Sequence, residues 1–292
     1  RDLYTDTGGR FHPDEMGRLR RPERPVPKDA AEIYESRISV VCPTTEARQN
    51  FHAQICDSFR EQTWADKELV IVETYYDKPS PILAERAAAD DRIVYVAFQV
   101  SRGQDWSIGV KRNACTHLAS GVLMANFDDD DLYAPAYLET MVQAMVEQKS
   151  EAATLSTWYI FDSRCGKFGF VDARSIGSLT NTDKAYGYGF SYLFFRHLSL
   201  KFPYPNQNLG EDTPFFMSVR NQVGNSTLGG FRRIALHIDE YGICCHTLHA
   251  NSTSSVKAQY WVPVEEAEDL DFARLDCWDE YVSRFPVRAE ES

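Results

Sequence analysis

Four consecutive aspartates, Asp128-Asp129-Asp130-Asp131, are the residues with the clearest chemical capacity in this sequence. Four adjacent carboxylates repel one another unless positive charge lies between them. Their hard oxygens suit Mg2+ or Mn2+, ions that commonly keep water and substrate phosphate as their remaining ligands. The other reading is a solvated acidic turn that caps the helix opened by Pro135. An EF-hand is excluded, although Glu139 falls at loop position twelve from Asp128. Leu132 and Tyr133 stand where that loop needs an oxygen ligand and a glycine.

The elements that must position this run can be read from apolar periodicity. Ile38-Ser39-Val40-Val41-Cys42, stopped by Pro43, suits a buried parallel strand. Phe51, Ile55 and Phe59 mark an amphipathic helix that closes near Gln62-Thr63. Glu68 to Val72 and Ile93 to Ala97 give two further buried strands. Asp105 caps a helix through about Leu118 that ends at Gly121. The fourth strand, Val122 to Phe127, runs directly into the aspartates. Pro135 then opens a helix with Leu138, Met141, Val142 and Met145 on one face. Such an alternation predicts an open, mostly parallel α/β sheet flanked by helices. Open sheets of this type bind ligands at the carboxyl ends of their strands, where the aspartates lie. Residues 1–36 read as an extended arm or linker. Beyond residue 152 the text turns richer in aromatics, glycine and short β runs, and residues 261–292 read as a helical extension.

Composition narrows the function classes. The 292 residues are 43% hydrophobic and 25% charged, ordinary values for a globular chain, and the formal charge is −12. No basic stripe appears outside Arg18 to Arg24, so nucleic acid is a poor partner. No apolar run approaches bilayer-spanning length, and no signal-peptide core is present. The seven cysteines lack metal-binding spacing and read as reduced thiols, which favours a cytoplasmic location. The N-x-S/T tripeptides at Asn225 and Asn251 keep a Golgi or ER lumen open if an anchor has been removed.

In order along the chain, several segments resemble glycosyltransferase family 2 and its GT-A relatives. Asn126-Phe127-Asp128-Asp129-Asp130-Asp131-Leu132-Tyr133-Ala134-Pro135 is similar to the family's D-x-D-D…P block. Ser39-Val40-Val41-Cys42-Pro43-Thr44 resembles its first strand, and Ser58 to Gln62-Thr63 its S-x-x-x-Q-T helix end. Arg112-Asn113 followed by Ala119-Ser120-Gly121 resembles its R-N…A-x-G helix. The likeness covers about residues 37–255 and implies a GT-A (Rossmann-like) catalytic domain over 37–260. Residues 37–135 would form the nucleotide-sugar half and residues 136–260 the acceptor half.

The resemblance also implies roles. Pro43, Thr44, Asp128 and Asp129 would line the donor site, with Asp128 on ribose or base. Asp130 would hold a Mn2+ or Mg2+ ion that bridges the donor diphosphate, with Lys111 and Arg112 as basic partners of that charge. Leu209-Gly210-Glu211-Asp212-Thr213-Pro214 resembles the family's E-D motif. It makes Asp212, beside Glu211, the expected base for the acceptor hydroxyl in an inverting reaction; their other reading is a favourable helix N-terminus. Cys245 to Ser254 resembles the late H-x-x-N-T-S region, with Ser252 where asparagine is expected. His249 is the expected additional metal ligand there, and His246 a satisfied core histidine. Tyr186-Gly187-Tyr188-Gly189 is either a loop that closes on the donor sugar or an ordinary turn.

Two departures bear on the base. The family's Asn-Arg after the first strand is replaced by Thr45-Glu46-Ala47-Arg48, and Glu73 stands where one or two aspartates end the second strand. A carboxylate only accepts hydrogen bonds, so Glu73 would favour a base edge with an N–H. Uracil, thymine and guanine present one and neutral cytosine does not at N3. The resemblance alone puts a UDP-sugar first, with GDP- or dTDP-sugars next, and the sequence does not name the acceptor. A sugar-phosphate nucleotidyltransferase is disfavoured because Cys42-Pro43-Thr44-Thr45 contains no glycine. A non-catalytic sugar- or metal-binding module is the alternative from another class.

Overall fold

The computed structural model describes residues 17, 20–175, 186, 188–221, 234–250, 252 and 256–284. From the amino end run α1 (Ala30–Tyr34), β1 (Ile38–Thr45), α2 (His52–Glu61), β2 (Lys67–Tyr75), α3 (Pro81–Ala89), β3 (Ile93–Gln99), α4 (Ile108–Leu118) and β4 (Leu123–Asn126). Next come β5 (Leu132–Tyr133), α5 (Tyr137–Glu147), β6 (Ala152–Leu155), β7 (Thr157–Asp162) and β8 (Lys167–Asp172). The remainder comprises β9 (Leu193–Phe195), α6 (Arg196–Lys201), α7 (Asp212–Arg220), β10 (Ile234–His237), β11 (Cys244–Leu248), β12 (Tyr260–Val262), α8 (Val264–Glu268) and α9 (Trp278–Arg284).

Seven strands form the main sheet in the order β10-β6-β9-β4-β1-β2-β3. Its pairings are parallel except at β9, which runs antiparallel to both β4 and β6. The expected α/β class, a mostly parallel sheet flanked by helices, is the observed one. Strands β1, β2 and β4 are continuous apolar runs because helices and neighbouring strands cover them; Val40, Leu69, Ile71 and Leu123 are wholly buried. The strand order reverses between β1 and β4, a topological switch point that opens a crevice at their carboxyl ends.

A second sheet of five strands, β12-β8-β7-β11-β5, stands beside that crevice. Strand β5 follows the aspartates immediately and pairs antiparallel with β11, Cys244 opposite Tyr133 and Cys245 opposite Leu132. The aspartate loop is therefore fastened to one sheet at each end. Helix α2 fixes it from a third side. The Gln62 amide donates to the carbonyls of Tyr133 (3.1 Å) and Ala134 (2.9 Å), and its oxygen accepts from Leu138 N.

Some local expectations differ from what is observed. Strand β1 continues through Pro43 to Thr45. Past Val41 it has only β2 beside it, an edge setting that tolerates a residue without an N–H. Helix α4 is capped by the Ser107 hydroxyl, which accepts from Val110 N; Asp105 instead accepts from Thr74 Oγ1 at 2.5 Å. Helices α1 and α3 were not anticipated. In α3 only Leu83 is buried, so no apolar stripe betrays it, although Ser80 and Pro81 supply a cap and a first turn. The arm is packed where it is described: Arg196 donates to the carbonyls of Arg21 and Pro22. Among the described residues no helix is long and apolar enough to cross a membrane.

Candidate active site

The crevice at the carboxyl ends of β1 and β4 gathers most of the residues singled out by sequence. Pro43 and Thr44 end β1, and the Thr44 hydroxyl donates to Asp129 Oδ2 at 2.5 Å. Asp129 also accepts from Arg48 Nε at 2.6 Å. Arg48 reaches the site from a 3-10 turn, Glu46–Phe51, and its guanidinium stands 2.7 Å from Asp130 Oδ2. Sequence reasoning passed over Arg48 as a site residue. Its signal was its place in the segment that replaces the family's Asn-Arg.

Asp130 is buried, and its Oδ2 lies 2.9 Å from His249 Nε2. Burial raises the cost of its charge, but Arg48 and the bond from His249 prevail and hold the carboxyl well below the usual range. Asp128, half-buried, is shifted the other way, because burial outweighs the Arg112 charge beside it. Asp131 faces away from these groups and anchors the loop: its oxygens bond Thr247 N and His246 Nδ1, each at 2.8 Å. Burial opposes a charge on His246, but the Asp131 carboxylate beside it overrides burial and shifts the imidazole upward, while burial shifts Asp131 upward in turn. His246 lies in β11, stacked on Phe190.

The second cluster comes from α4 and α7. Arg112 is 4% exposed and stands 3.3 Å from both Asp128 Oδ1 and Glu211 Oε1. It also donates to the Gly189 carbonyl, and the Gly189 amide donates to Asp212 Oδ2 at 2.7 Å. One guanidinium thus links the first aspartate of the loop to the acidic pair at the start of α7. Glu211 is buried, and burial raises its carboxyl despite Arg112. Asp212 is only partly buried, and its other oxygen accepts from Thr213 N. Gly189 has a steric reason to be glycine: a Cβ there would stand 2.7 Å from Asp212 Cβ.

The basic residues are deeper than expected. Lys111 is 4% exposed, donates to the Thr44 carbonyl at 3.0 Å and stands 3.3 Å from Asp105. Lys111 and Arg112 therefore hold the walls of the crevice together. Glu73 differs most from expectation, because it is wholly buried. Its oxygens accept from Gln49, Ser80 N and the Tyr95 hydroxyl, as a buried strand-end carboxylate must. It organises the turn after β2, while Asp105, one-third exposed, is an acidic group accessible at that mouth. Gly187, Asn225, Asn251, Thr253 and Ser254 lie outside the described residues.

Among the described residues no cluster of three or more His, Cys, Asp or Glu side chains could by itself enclose a metal ion. Asp130 and His249 do bring one carboxylate and one imidazole together. Such a pair fits Mn2+ or Mg2+ if diphosphate oxygens and water complete the shell.

The profile of glycosyl transferase family 2 matches residues 39–196, more than half of the chain. The chain belongs to this family. An uncharacterized glycosyltransferase of Methanocaldococcus jannaschii is 26% identical over 132 residues, 44% of each chain. The S. aureus TarS 1-349 structure is similar with a TM-score of 0.53 and 16% identity, covering 72% of this chain and 60% of that one. The mannosyltransferase PcManGT of Pyrobaculum calidifontis, solved with GDP-Man and Mn2+, also gives a TM-score of 0.53, with 15% identity. That match covers 82% of this chain and 64% of PcManGT. The chain thus spans less than two thirds of each relative's length. These likenesses show the GT-A fold of a family 2 glycosyltransferase.

Proposed function

We propose that this chain is an inverting, metal-dependent glycosyltransferase that moves a sugar from a nucleotide-sugar, UDP-sugars first, to an acceptor hydroxyl. The observation that carries the reading is the Asp128–Arg112–Glu211 chain. It holds the acidic pair at the start of α7, Glu211 and Asp212, against the aspartate loop that also carries Asp130, the partner of His249. Asp130 and His249 would hold the divalent cation, which when bound supplies positive charge to the departing diphosphate.

Every other part of the reaction falls to the chain's own groups. Thr44 and Arg48 keep Asp129 and Asp130 in place. Asp128 offers an acceptor oxygen to the ribose hydroxyls. Asp212 Oδ2, oriented by the Gly189 amide, takes the acceptor proton as the hydroxyl oxygen attacks the sugar carbon from the face opposite the diphosphate. For the base, Asp105 takes the place that Glu73 was expected to fill. Its exposed carboxylate favours an edge with an N–H, which uracil presents and neutral cytosine lacks at N3. The test is hydrolysis of a panel of UDP-, GDP-, dTDP- and CDP-sugars with Mn2+, followed by proton NMR. Release of sugar with inverted anomeric configuration, fastest from a UDP-sugar, is the expected result. No turnover of any donor in the panel, or retained configuration, overturns the reading.

A further inference from the structure

The carboxyl-terminal helix α9 lies beyond the residues that the family profile matches, yet two hydrogen-bonded routes lead from it to the aspartate loop. In the first, the Thr247 hydroxyl bonds the Asp130 carbonyl at 2.5 Å and stands 2.7 Å from the Tyr281 hydroxyl. Thr247 has one hydroxyl proton, which goes to the carbonyl, so Tyr281 donates to Thr247. In the second, Arg284 donates to Gln54 Oε1 at 3.3 Å, and the Gln54 amide donates to the Asp131 carbonyl at 3.1 Å. The routes end on adjacent carbonyls of the same loop.

Packing follows the same path. Leu132, the residue after the aspartates, belongs to an apolar cluster with Phe161, Phe168, Phe272, Leu275 and Tyr281. This cluster is separate from the main core and draws six of its ten buried members from beyond residue 260. Tyr281 is 1% exposed and Thr247 wholly buried, so neither hydroxyl can exchange its partner for water. Hydrogen bonds that are completed inside such an enclosure rigidify what they join.

We propose that α9 is a brace for the aspartate loop, and that Tyr281, acting through Thr247, is a positioning residue for Asp130. The helix sets where the Asp130 main chain lies, and hence where its carboxylate meets His249. The loop-fixing role stands on the contacts alone, whereas its expression in donor binding rests on the function proposed above.

Tyr281→Phe keeps the ring in the cluster and removes only the donor; Thr247→Val breaks the relay and Thr247→Ser keeps it. Hydrogen–deuterium exchange is read on the peptide that spans Asp128 to Ala134 and, as an internal control, on β2. In parallel, UDP binding with Mn2+ is measured by calorimetry on the folded protein. Tyr281→Phe and Thr247→Val are expected to speed exchange of the loop but not of β2, and to weaken UDP by about fivefold, the equivalent of one buried hydrogen bond. Thr247→Ser is expected to restore both readouts. Unchanged loop exchange in Tyr281→Phe and Thr247→Val, or equal acceleration in the loop and in β2, overturns the brace. Faster loop exchange in a protein whose wild type binds no nucleoside diphosphate supports the brace and overturns the proposed donor.

Discussion

Gly189→Ala probes Asp212, the proposed base, by displacing its carboxyl group without changing its chemistry. Gly189 does not adopt a left-handed conformation, so the substitution adds bulk and no backbone strain. The new methyl would stand 2.7 Å from Asp212 Cβ, 3.0 Å from Oδ2 and 3.3 Å from Cγ. Restoring ordinary carbon contact requires a retreat of roughly 1 Å. That retreat falls on Asp212, whose Oδ2 is also held by the Gly189 amide. Residue 189 itself is tied through its carbonyl to Asn126 and Arg112. A misplacement of about 1 Å at a reacting group costs roughly 100-fold in rate. The three atoms nearest the added methyl all belong to Asp212, so the disturbance centres on that residue and affinity for nucleoside diphosphate should hold. Steady-state transfer kinetics, with calorimetry of UDP and Mn2+ alongside, read the two separately. A variant that keeps the wild-type kcat would refute the placement of Asp212 as the base, and one that loses kcat and UDP affinity together would refute the separation of the two clusters.

Asp212→Asn should lower kcat by about 10²–10⁴ and leave donor affinity in place, as loss of a general base does; single-turnover kinetics separate the two. Gln62→Leu should destabilise the fold by about 3 kcal/mol, because the Tyr133 and Ala134 carbonyls and the Leu138 amide lose their buried partner. Urea unfolding measures that loss. Among the cysteines only Cys165 is not buried, and burial pushes the thiols of Cys56, Cys115 and Cys277 up to about 12. Brief iodoacetamide treatment of the native protein at pH 8, read by mass spectrometry, should therefore label Cys165 first and leave those three unmodified.

Elements whose cause is local were readable from sequence. The apolar runs of β1, β2 and β4 declare themselves because helices cover both faces of a parallel sheet, and the position of the aspartates follows from the strand before them. What sequence could not supply are pairings made across long separations. Arg48 meets Asp129 across 81 positions, and Tyr281 meets Thr247 across 34, with nothing in either neighbourhood to announce the partner. Glu73 was misjudged for a related reason. The end of a strand looks open when read alone, but Gln49, Ser80 and Tyr95 close over it. Helix α3 stayed hidden because its face carries a single buried residue, too little to set a period. The S-x-x-x-Q-T helix end was recognised only by likeness, and its physical sense is the Gln62 clamp on the segment after the aspartates.

The most direct test of the assignment at the crevice is calorimetric titration of UDP into wild type and Asp130→Ala, each with Mn2+ and with a chelator. Wild type should bind UDP with Mn2+ and lose most of that affinity to the chelator, and Asp130→Ala should bind equally poorly in both. Binding by Asp130→Ala that matches wild type with Mn2+ would contradict the assignment of Asp130 as the residue that holds the metal.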